Sequence, residues 1–183
     1  MVKMTEEDYR SIQQKYKNMM VEDIKEALKP GRHNFSLLID NRTKNFAAGT
    51  LVRSFNNFSG QKIILWGSKQ YDRRPSIGCY QVEEIEVARS IEELGQIVRQ
   101  SGIDRLVALE NNVDRPLQDL RSYRWDKGIH SLMIIGNEHG IDSEILDVCD
   151  DFVEIPSMGS TKSINLGAAG SIMMWDYISK IDT

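Results

Sequence analysis

Three apolar runs in this sequence each end in polar or glycine residues of the kind that can hold a small molecule. They are VALENN at 107–112, MIIGNEHG at 133–140 and EIPSMGS at 154–160. In open parallel sheets, ligands bind at the carboxyl ends of strands, where loops present backbone N–H and C=O groups. The sequence therefore predicts a small-molecule pocket built from these three loops.

The third loop continues into a segment whose composition does not suit packing alone. In IPSMGSTKSINLGAAGS (155–171), Ser163, Ile164 and Asn165 lead into small residues, which bury little apolar area. The small residues are Gly159, Gly167, Ala168 and Ala169. They allow the backbone to pass close to itself or to a ligand, although tight helix packing explains them equally well.

Several common kinds of site have no signature here. No G-x-G-x-x-G follows a strand, and GSTKS lacks the glycine that a P-loop needs directly before its lysine, here Lys162. His139 has no second His or Cys at metal spacing, so we predict a solvated loop residue and no metal. A nucleotide-like ligand must therefore be held in another way.

Length and composition indicate one globular domain with an added segment. The chain has 183 residues, of which 40% are hydrophobic, and a net charge of −4. This charge argues against a protein that coats nucleic acid nonspecifically, but it allows a local basic patch. The N-terminus is charged and no apolar run approaches the length of a membrane span, so we expect a cytoplasmic protein without membrane contact.

Apolar strands alternate with helices along the chain, which predicts an α/β fold with a mostly parallel sheet flanked by helices. The predicted strands are 35–40, 62–67, 79–87, 104–110, 131–136 and 152–156, and the predicted helices are 47–58, 91–102, 142–149 and 165–179. Residues 5–29 predict one amphipathic helix or two short ones, which either pack on the domain or contact the substrate. We divide the chain into an N-terminal helical extension (1–33) and a main domain (34–183).

Three segments together resemble a known family. IDNRTKNFAAGTLVRSFNNFS (39–59), LMIIGNEHGIDSEIL (132–146) and IPSMGSTKSINLGAAGS (155–171) are similar to the three ordered motifs of the SpoU, or TrmH, branch of the SPOUT RNA methyltransferases. The resemblance covers about residues 35–180. It implies transfer of a methyl group from S-adenosyl-L-methionine to a ribose 2′-hydroxyl of tRNA or rRNA. It also implies a C-terminal trefoil knot, which general topology rules would not predict.

Position by position, the resemblance implies a set of residues that hold the methyl donor. These are Leu109, Gly136, Ile155 and Ser163, with Met158 and Ile164 as further contacts in the same loop. Their positions at the ends of apolar strands agree with this role, because backbone amides and aliphatic side chains there can enclose an adenosine.

The resemblance also implies catalytic roles for Arg53, Asn165 and Glu138. A guanidinium stays protonated, so we expect Arg53 to clamp a phosphate and stabilise a developing alkoxide rather than to act as a base. The alternative is a helix arginine paired with a carboxylate. Asn165 would orient Arg53 or the ribose hydroxyl, and Glu138 would organise its loop by accepting backbone N–H groups.

Two positions depart from the family pattern. Ala47 stands where the first motif usually has asparagine, with Asn45 displaced by two residues, and Gly167 stands where a second serine is frequent. Two alternatives therefore stay open: a catalytically silent relative that binds RNA or the cofactor, and an unrelated α/β nucleotide-binding enzyme.

RNA and a second copy of the chain are the expected partners. Basic residues that could surround the site are Arg42, Lys44, Lys69, Arg73, Arg74, Arg121, Arg124, Lys127 and Lys162. The terminal helix carries Ile164, Ala168, Ile172, Trp175 and Ile178 at helical spacing. This face predicts a homodimer, which the family resemblance also implies, although core packing would produce the same pattern.

Overall fold

The computed structural model describes residues 12–44 and 47–181, and these form a seven-stranded sheet in which all neighbouring strands are parallel. The strands are β1 (Phe35–Asp40), β2 (Ile63–Trp66), β3 (Ile85–Ala88), β4 (Arg105–Leu109), β5 (Gln118–Asp119), β6 (Ser131–Ile135) and β7 (Asp151–Glu154). Their order across the sheet is β3-β2-β1-β6-β4-β7-β5. The predicted α/β fold with a parallel sheet is confirmed.

Helices cover both faces of the sheet. They are α1 (Val21–Leu28), α2 (Ala47–Phe58), α3 (Ile91–Gln100), α4 (Ser143–Leu146) and α5 (Leu166–Ile181). Short 3-10 turns lie at Gln14–Tyr16, Lys29–Gly31, Arg74–Ser76 and Cys79–Gln81. In the described part of the chain, none of the helices has the length and apolar character needed to cross a membrane.

Strand β1 shows why the sheet has two separate cores. Leu37 and Ile39 point into the core shared with α2 and α5, whereas Leu38 points into the core shared with α3 and α4. Successive side chains of a strand face opposite sides of the sheet, so a strand that is covered on both sides carries apolar residues at consecutive positions, here Leu37, Leu38 and Ile39. All six residues of β1 are buried.

The strand predicted at 79–87 is wrong over most of its length. Residues Cys79–Gln81 form a 3-10 turn, and β3 begins only at Ile85. The reason is tertiary packing, because Val82 is buried in a small cluster with Val21 and Ile24 of α1. A β-branched residue that looked like part of a strand instead anchors the N-terminal segment.

The N-terminal segment forms a 3-10 turn and one short helix in its described part, rather than one long helix. Residues 5–11 of the predicted helix lie outside the described residues. A buried ion pair holds the connection to the domain: Arg32 Nη1 lies 2.6 Å from Glu83 Oε2, and the Glu83 side chain is 0% exposed. Arg32 also donates a hydrogen bond to the backbone oxygen of Gly60.

Candidate active site

The carboxyl ends of β4, β6 and β7 and the start of α5 surround a cavity of about 760 Å³. These three strands are neighbours in the sheet, with Leu109 of β4 paired to Ile135 of β6 and Val153 of β7. The sheet order therefore brings together the three loops that the sequence predicted to meet. We call this space the strand-end cavity.

Most of the residues predicted to hold a cofactor line this cavity. They are Leu109, Gly136, Ile155, Ser163 and Ile164. Met158 is not among the lining residues, and it is 79% exposed on the surface of the third loop.

Gly136 is required by a close approach between two backbone segments. A Cβ atom at this position would lie 2.6 Å from the Gly140 carbonyl carbon and 2.8 Å from the Ile141 nitrogen. The loop closes tightly because Asn137 and Gly140 exchange backbone hydrogen bonds of 3.1 and 3.0 Å. Gly140 adopts a φ of +90°, a conformation that favours glycine.

Glu110 is a cavity residue that our sequence reasoning missed. Its Oε1 accepts the backbone N–H of Asn111 at 2.9 Å, and its Oε2 accepts the N–H of Ile141 at 3.3 Å. The carboxylate thus links the loop after β4 to the loop after β6. The signal that was available is a carboxylate directly after an apolar strand, followed by two asparagines.

The third loop is tied to the first by Asn111, whose Nδ2 donates a hydrogen bond of 2.5 Å to the Lys162 carbonyl. Asn165 then begins the terminal helix, because its Oδ1 accepts the N–H of Ala168 at 3.3 Å. Asparagine is a favoured residue at this kind of helix start. Asn165 also lines the strand-end cavity, so the cap and the predicted site residue are the same side chain.

Glu138 lies on the rim of the strand-end cavity and is exposed. Its Oε2 accepts a hydrogen bond of 3.0 Å from the Thr43 hydroxyl, which joins the second loop to the segment after β1. Next to it, Asn137 Oδ1 accepts the N–H of His139 at 2.7 Å. Side chains of two neighbouring residues thus stabilise this loop.

Arg53 lies apart from the strand-end cavity. Helix α2 contributes Ala47 and Thr50 to that cavity, whereas Arg53, one turn further along, lines a second cavity of about 420 Å³. We call this the N-terminal cavity, because part of its wall is formed by Ile12, Gln13, Lys15 and Tyr16. Among the described residues, no carboxylate pairs with the Arg53 guanidinium. Asn45 of the first motif lies outside the described residues.

The wall of the strand-end cavity carries more acidic than basic side chains. Among the residues that the structure describes, the strand-end cavity is lined by the carboxylates Glu110, Glu138 and Glu154 and by one lysine, Lys162. Within residues 12–44 and 47–181, no cluster of three or more His, Cys, Asp and Glu side chains is arranged to hold a metal ion.

Several of the basic residues predicted to face RNA are already paired. Arg42 binds Asp40, and this hydrogen bond raises the pKa of Arg42 above its ordinary value. Arg74 pairs with Asp72 and Arg121 pairs with Asp119, so each arginine binds the carboxylate two residues before it. These three arginines are therefore partly neutralised.

A family model and several solved structures are similar to this chain. The model of the SpoU rRNA Methylase family matches residues 34–175. The SpoU methyltransferase AviRb from Streptomyces viridochromogenes, solved in complex with AdoMet, superposes with a TM-score of 0.70 at 23% identity, over 83% of this chain and 60% of that one. The A. aeolicus TrmH/SpoU tRNA modifying enzyme superposes with a TM-score of 0.72 at 18% identity, over 88% of this chain and 84% of that one.

A relative in the mouse matches more closely over a shorter stretch. The tRNA (guanosine(18)-2'-O)-methyltransferase TARBP1 of Mus musculus is 37% identical over 60 residues, which are 32% of this chain and 4% of that protein. The chain thus spans a small fraction of the mouse protein and 60% of AviRb.

Proposed function

The chain belongs to the SpoU rRNA Methylase family, whose model covers residues 34–175, and we propose that it is an S-adenosylmethionine-dependent RNA methyltransferase. The proposed acceptor is a ribose 2′-hydroxyl in tRNA or rRNA. The observation that carries this proposal is the strand-end cavity, because residues of the second and third motifs form its walls. AviRb is a SpoU methyltransferase, the A. aeolicus protein is a tRNA modifying enzyme and the mouse relative is a tRNA 2'-O-methyltransferase, which supports the same class of reaction.

The chemistry of the strand-end cavity fits the methyl donor. Its volume of about 760 Å³ falls within the range of roughly 300–1,000 Å³ that is usual for small-molecule sites. When bound, S-adenosylmethionine supplies an electrophilic methyl group on a positively charged sulfonium. The excess of carboxylates over lysine in the cavity wall suits a cation.

We assign the donor-binding role to the residues of the three strand-end loops. Leu109, Ile155 and Ile164 provide aliphatic surface for an adenosine, and Ser163 provides a hydroxyl. Gly136 lines the cavity, and its lack of a side chain lets the second loop fold tightly against Gly140 and Ile141. Met158 remains a predicted contact that would have to move from its exposed position.

We assign the acceptor side of the reaction to Arg53, Asn165 and Glu138. Arg53 would hold an RNA phosphate and stabilise the negative charge that develops on the 2′-oxygen as it loses its proton. Asn165 lies at the cavity wall and would orient the hydroxyl. Glu138 would keep the second loop in place through its bond to Thr43.

Two measurements test the proposed function. Calorimetry in the presence of a chelator should detect S-adenosylmethionine binding without metal, and no heat at millimolar ligand would contradict it. Mapping of 2′-O-methyl groups by resistance to alkaline cleavage, in RNA from cells with and without the gene, should identify the modified nucleotide. Donor binding without methyl transfer to any RNA would instead indicate a catalytically silent relative.

We further propose a homodimer that forms through α5. Trp175 is 59% exposed and Ile172 is 40% exposed, and Phe58 of α2 lies beside Trp175 with ring centroids 6.2 Å apart. Exposed apolar surface of this kind is typical of an interface. Light scattering at tens of micromolar should give the mass of a dimer, and a monomer mass would contradict the proposal.

The trefoil knot and the cytoplasmic location also belong to this proposal. Support for the knot comes from contacts between the segment after β5 and the terminal helix. Lys180 Nζ donates to the carbonyls of Leu120 and Tyr123, and Trp125 Nε1 donates to Asp176. Force spectroscopy should give an unfolded contour length shorter than that of an untied chain. An RNA substrate agrees with a cytoplasmic location, which cell fractionation would test.

A further inference from the structure

The N-terminal cavity and the strand-end cavity are both lined by residues of α2. Thr50 lines the strand-end cavity, and Arg53 lines the N-terminal cavity. Three residues of an α-helix rise by about 4.5 Å. A ligand in the N-terminal cavity would therefore approach the place where we expect the methyl donor.

The charge of the N-terminal cavity is opposite to that of the strand-end cavity. Lys15 and Arg53 are the charged residues of its wall within residues 12–44 and 47–181, and no carboxylate of those residues lines it. Glu83 lies behind Asn56, which donates to it, and its negative charge is balanced by Arg32. The described wall thus presents two cations, Lys15 and Arg53, which favour an anionic ligand.

The remaining wall offers both hydrogen-bonding groups and apolar surface. Gln13 and Asn57 supply side-chain amides, and Ile12 and Ile77 supply aliphatic surface. A nucleotide needs this combination, because its base has polar edges and apolar faces while its phosphate is negative. The volume of about 420 Å³ is within the range for small-molecule sites.

We propose that the N-terminal cavity binds one nucleotide of the acceptor RNA, with its phosphate between Lys15 and Arg53. This inference rests on the proposed function, since it takes RNA as the acceptor. It makes the segment before β1 part of the RNA-binding site. The strand-end cavity then holds the cationic donor and the N-terminal cavity the anionic acceptor, at successive turns of one helix.

The chain offers a matched pair of lysines for the test. Lys15 and Lys17 are both exposed and two residues apart, but only Lys15 lines the cavity. We would measure binding of labelled unfractionated tRNA and of rRNA between 50 and 200 mM salt for the full chain, Lys15→Gln and Lys17→Gln. Loss of one phosphate contact should reduce the slope of log K against log salt by about 0.7–0.9.

We expect Lys15→Gln to bind RNA more weakly and with a smaller slope of log K against log salt. Lys17→Gln should match the wild-type chain in both affinity and slope. A second variant, Ala27→Leu, narrows the cavity without changing its charge, so it should also weaken RNA binding. Folding should be retained, because alanine and leucine both favour the helical conformation. All three variants should bind S-adenosylmethionine normally.

Equal salt slopes for the two lysine variants would overturn this inference and leave the proposed function intact. If the unchanged chain binds neither tRNA nor rRNA, both proposals fail. If Lys15→Gln also loses donor binding, the role of Lys15 is structural and the inference is overturned.

Discussion

The Glu110 carboxylate accepts a hydrogen bond of 3.3 Å from the backbone N–H of Ile141. This contact joins the end of β4 to the loop that follows β6, on the wall of the strand-end cavity. The same carboxylate also holds the N–H of Asn111, whose side chain binds the third loop. One charged group therefore connects all three loops that we assign to the donor.

Replacement of Glu110 should weaken donor binding, and the loss should be larger when the new side chain can accept fewer hydrogen bonds. Hydrogen bonds to a charged group contribute about 1.5–3 kcal/mol, so Glu110→Ala should lower S-adenosylmethionine affinity by about tenfold or more. Glu110→Gln keeps one acceptor oxygen and should lose less. Calorimetry measures both, with Glu144→Ala as a control, because Glu144 is exposed and outside the cavity wall. Unchanged affinity in Glu110→Ala would contradict the linking role.

Arg53→Ala should separate catalysis from donor binding. Removal of a group that stabilises transition-state charge typically slows a reaction by about 10²–10³, whereas donor affinity should stay within a few-fold because Arg53 lies outside the strand-end cavity. Arg53→Lys should restore part of the rate, since an ammonium lacks the planar fork of a guanidinium. Single-turnover transfer of labelled methyl to the mapped RNA gives the rates.

The exposed Arg89 provides the control for this experiment, as Arg89→Ala removes an equal charge away from both cavities. Transfer at the normal rate in Arg53→Ala would remove Arg53 from the mechanism. A parallel loss of donor binding would show that its role is structural.

Gly136→Ala should distort the second loop. The added Cβ would meet backbone atoms at 2.6 and 2.8 Å, and backbone cannot move aside as a flexible side chain can. We expect the free energy of unfolding to fall by about 1–3 kcal/mol, together with a loss of donor affinity. Gly159→Ala is the matched control in the third loop, because a Cβ there meets nothing within 4 Å. Denaturant titration and calorimetry of both variants test this; equal stability would count against it.

The buried Glu83 should make stability depend on pH. Burial raises the pKa of Glu83, although the charge of Arg32 and the hydrogen bond from Asn56 act in the opposite direction. The folded state therefore holds this proton more tightly than the unfolded state. The resulting stabilisation is complete below the ordinary glutamate pKa of about 4.3 and is lost as pH rises through the folded value.

Urea titrations between pH 4 and 7 measure this effect as a difference between the unchanged chain and Glu83→Gln. The free energy of unfolding of the unchanged chain should fall relative to that of Glu83→Gln as pH rises. The exposed Glu22 gives a control variant, Glu22→Gln, that should follow the unchanged chain. A relative rise with pH would mean that the Arg32 ion pair outweighs the cost of burial.

The sequence predicted those elements whose residues satisfy local preference and tertiary packing together. The bounds of β1 and α2 were predicted as observed, because β1 is a short run in which four of six residues are apolar and α2 has a helical period. Strand β5 was missed because its two residues, Gln118 and Asp119, are polar and it pairs only with β7. Val82 misled the strand prediction because its partners lie on α1, far away in sequence.

The strand-end rule predicted where a pocket should form, and the family resemblance supplied the individual residues. Leu109, Gly136 and Ile155 were implied by that resemblance, and their place at the carboxyl ends of parallel strands agrees with the rule. The position of Arg53 beside the N-terminal segment could not be predicted from a helical pattern, because the pattern does not show which other segment packs near a given turn of the helix. Glu110 was missed because one of its two partners, the N–H of Ile141, comes from a different loop.

The central place of β6 has a consequence for how the molecule folds. Phe35 of β1 pairs with Ser131 of β6, and Arg105 of β4 pairs with the same residue from the other side. The chain must therefore deliver a late segment between two strands synthesised earlier, and such distant pairings make folding slow because loop closure precedes any gain. Since β6 also supplies one wall of the strand-end cavity, donor affinity appears only after this insertion. The time at which donor binding appears during refolding therefore marks the time at which β6 completes the sheet.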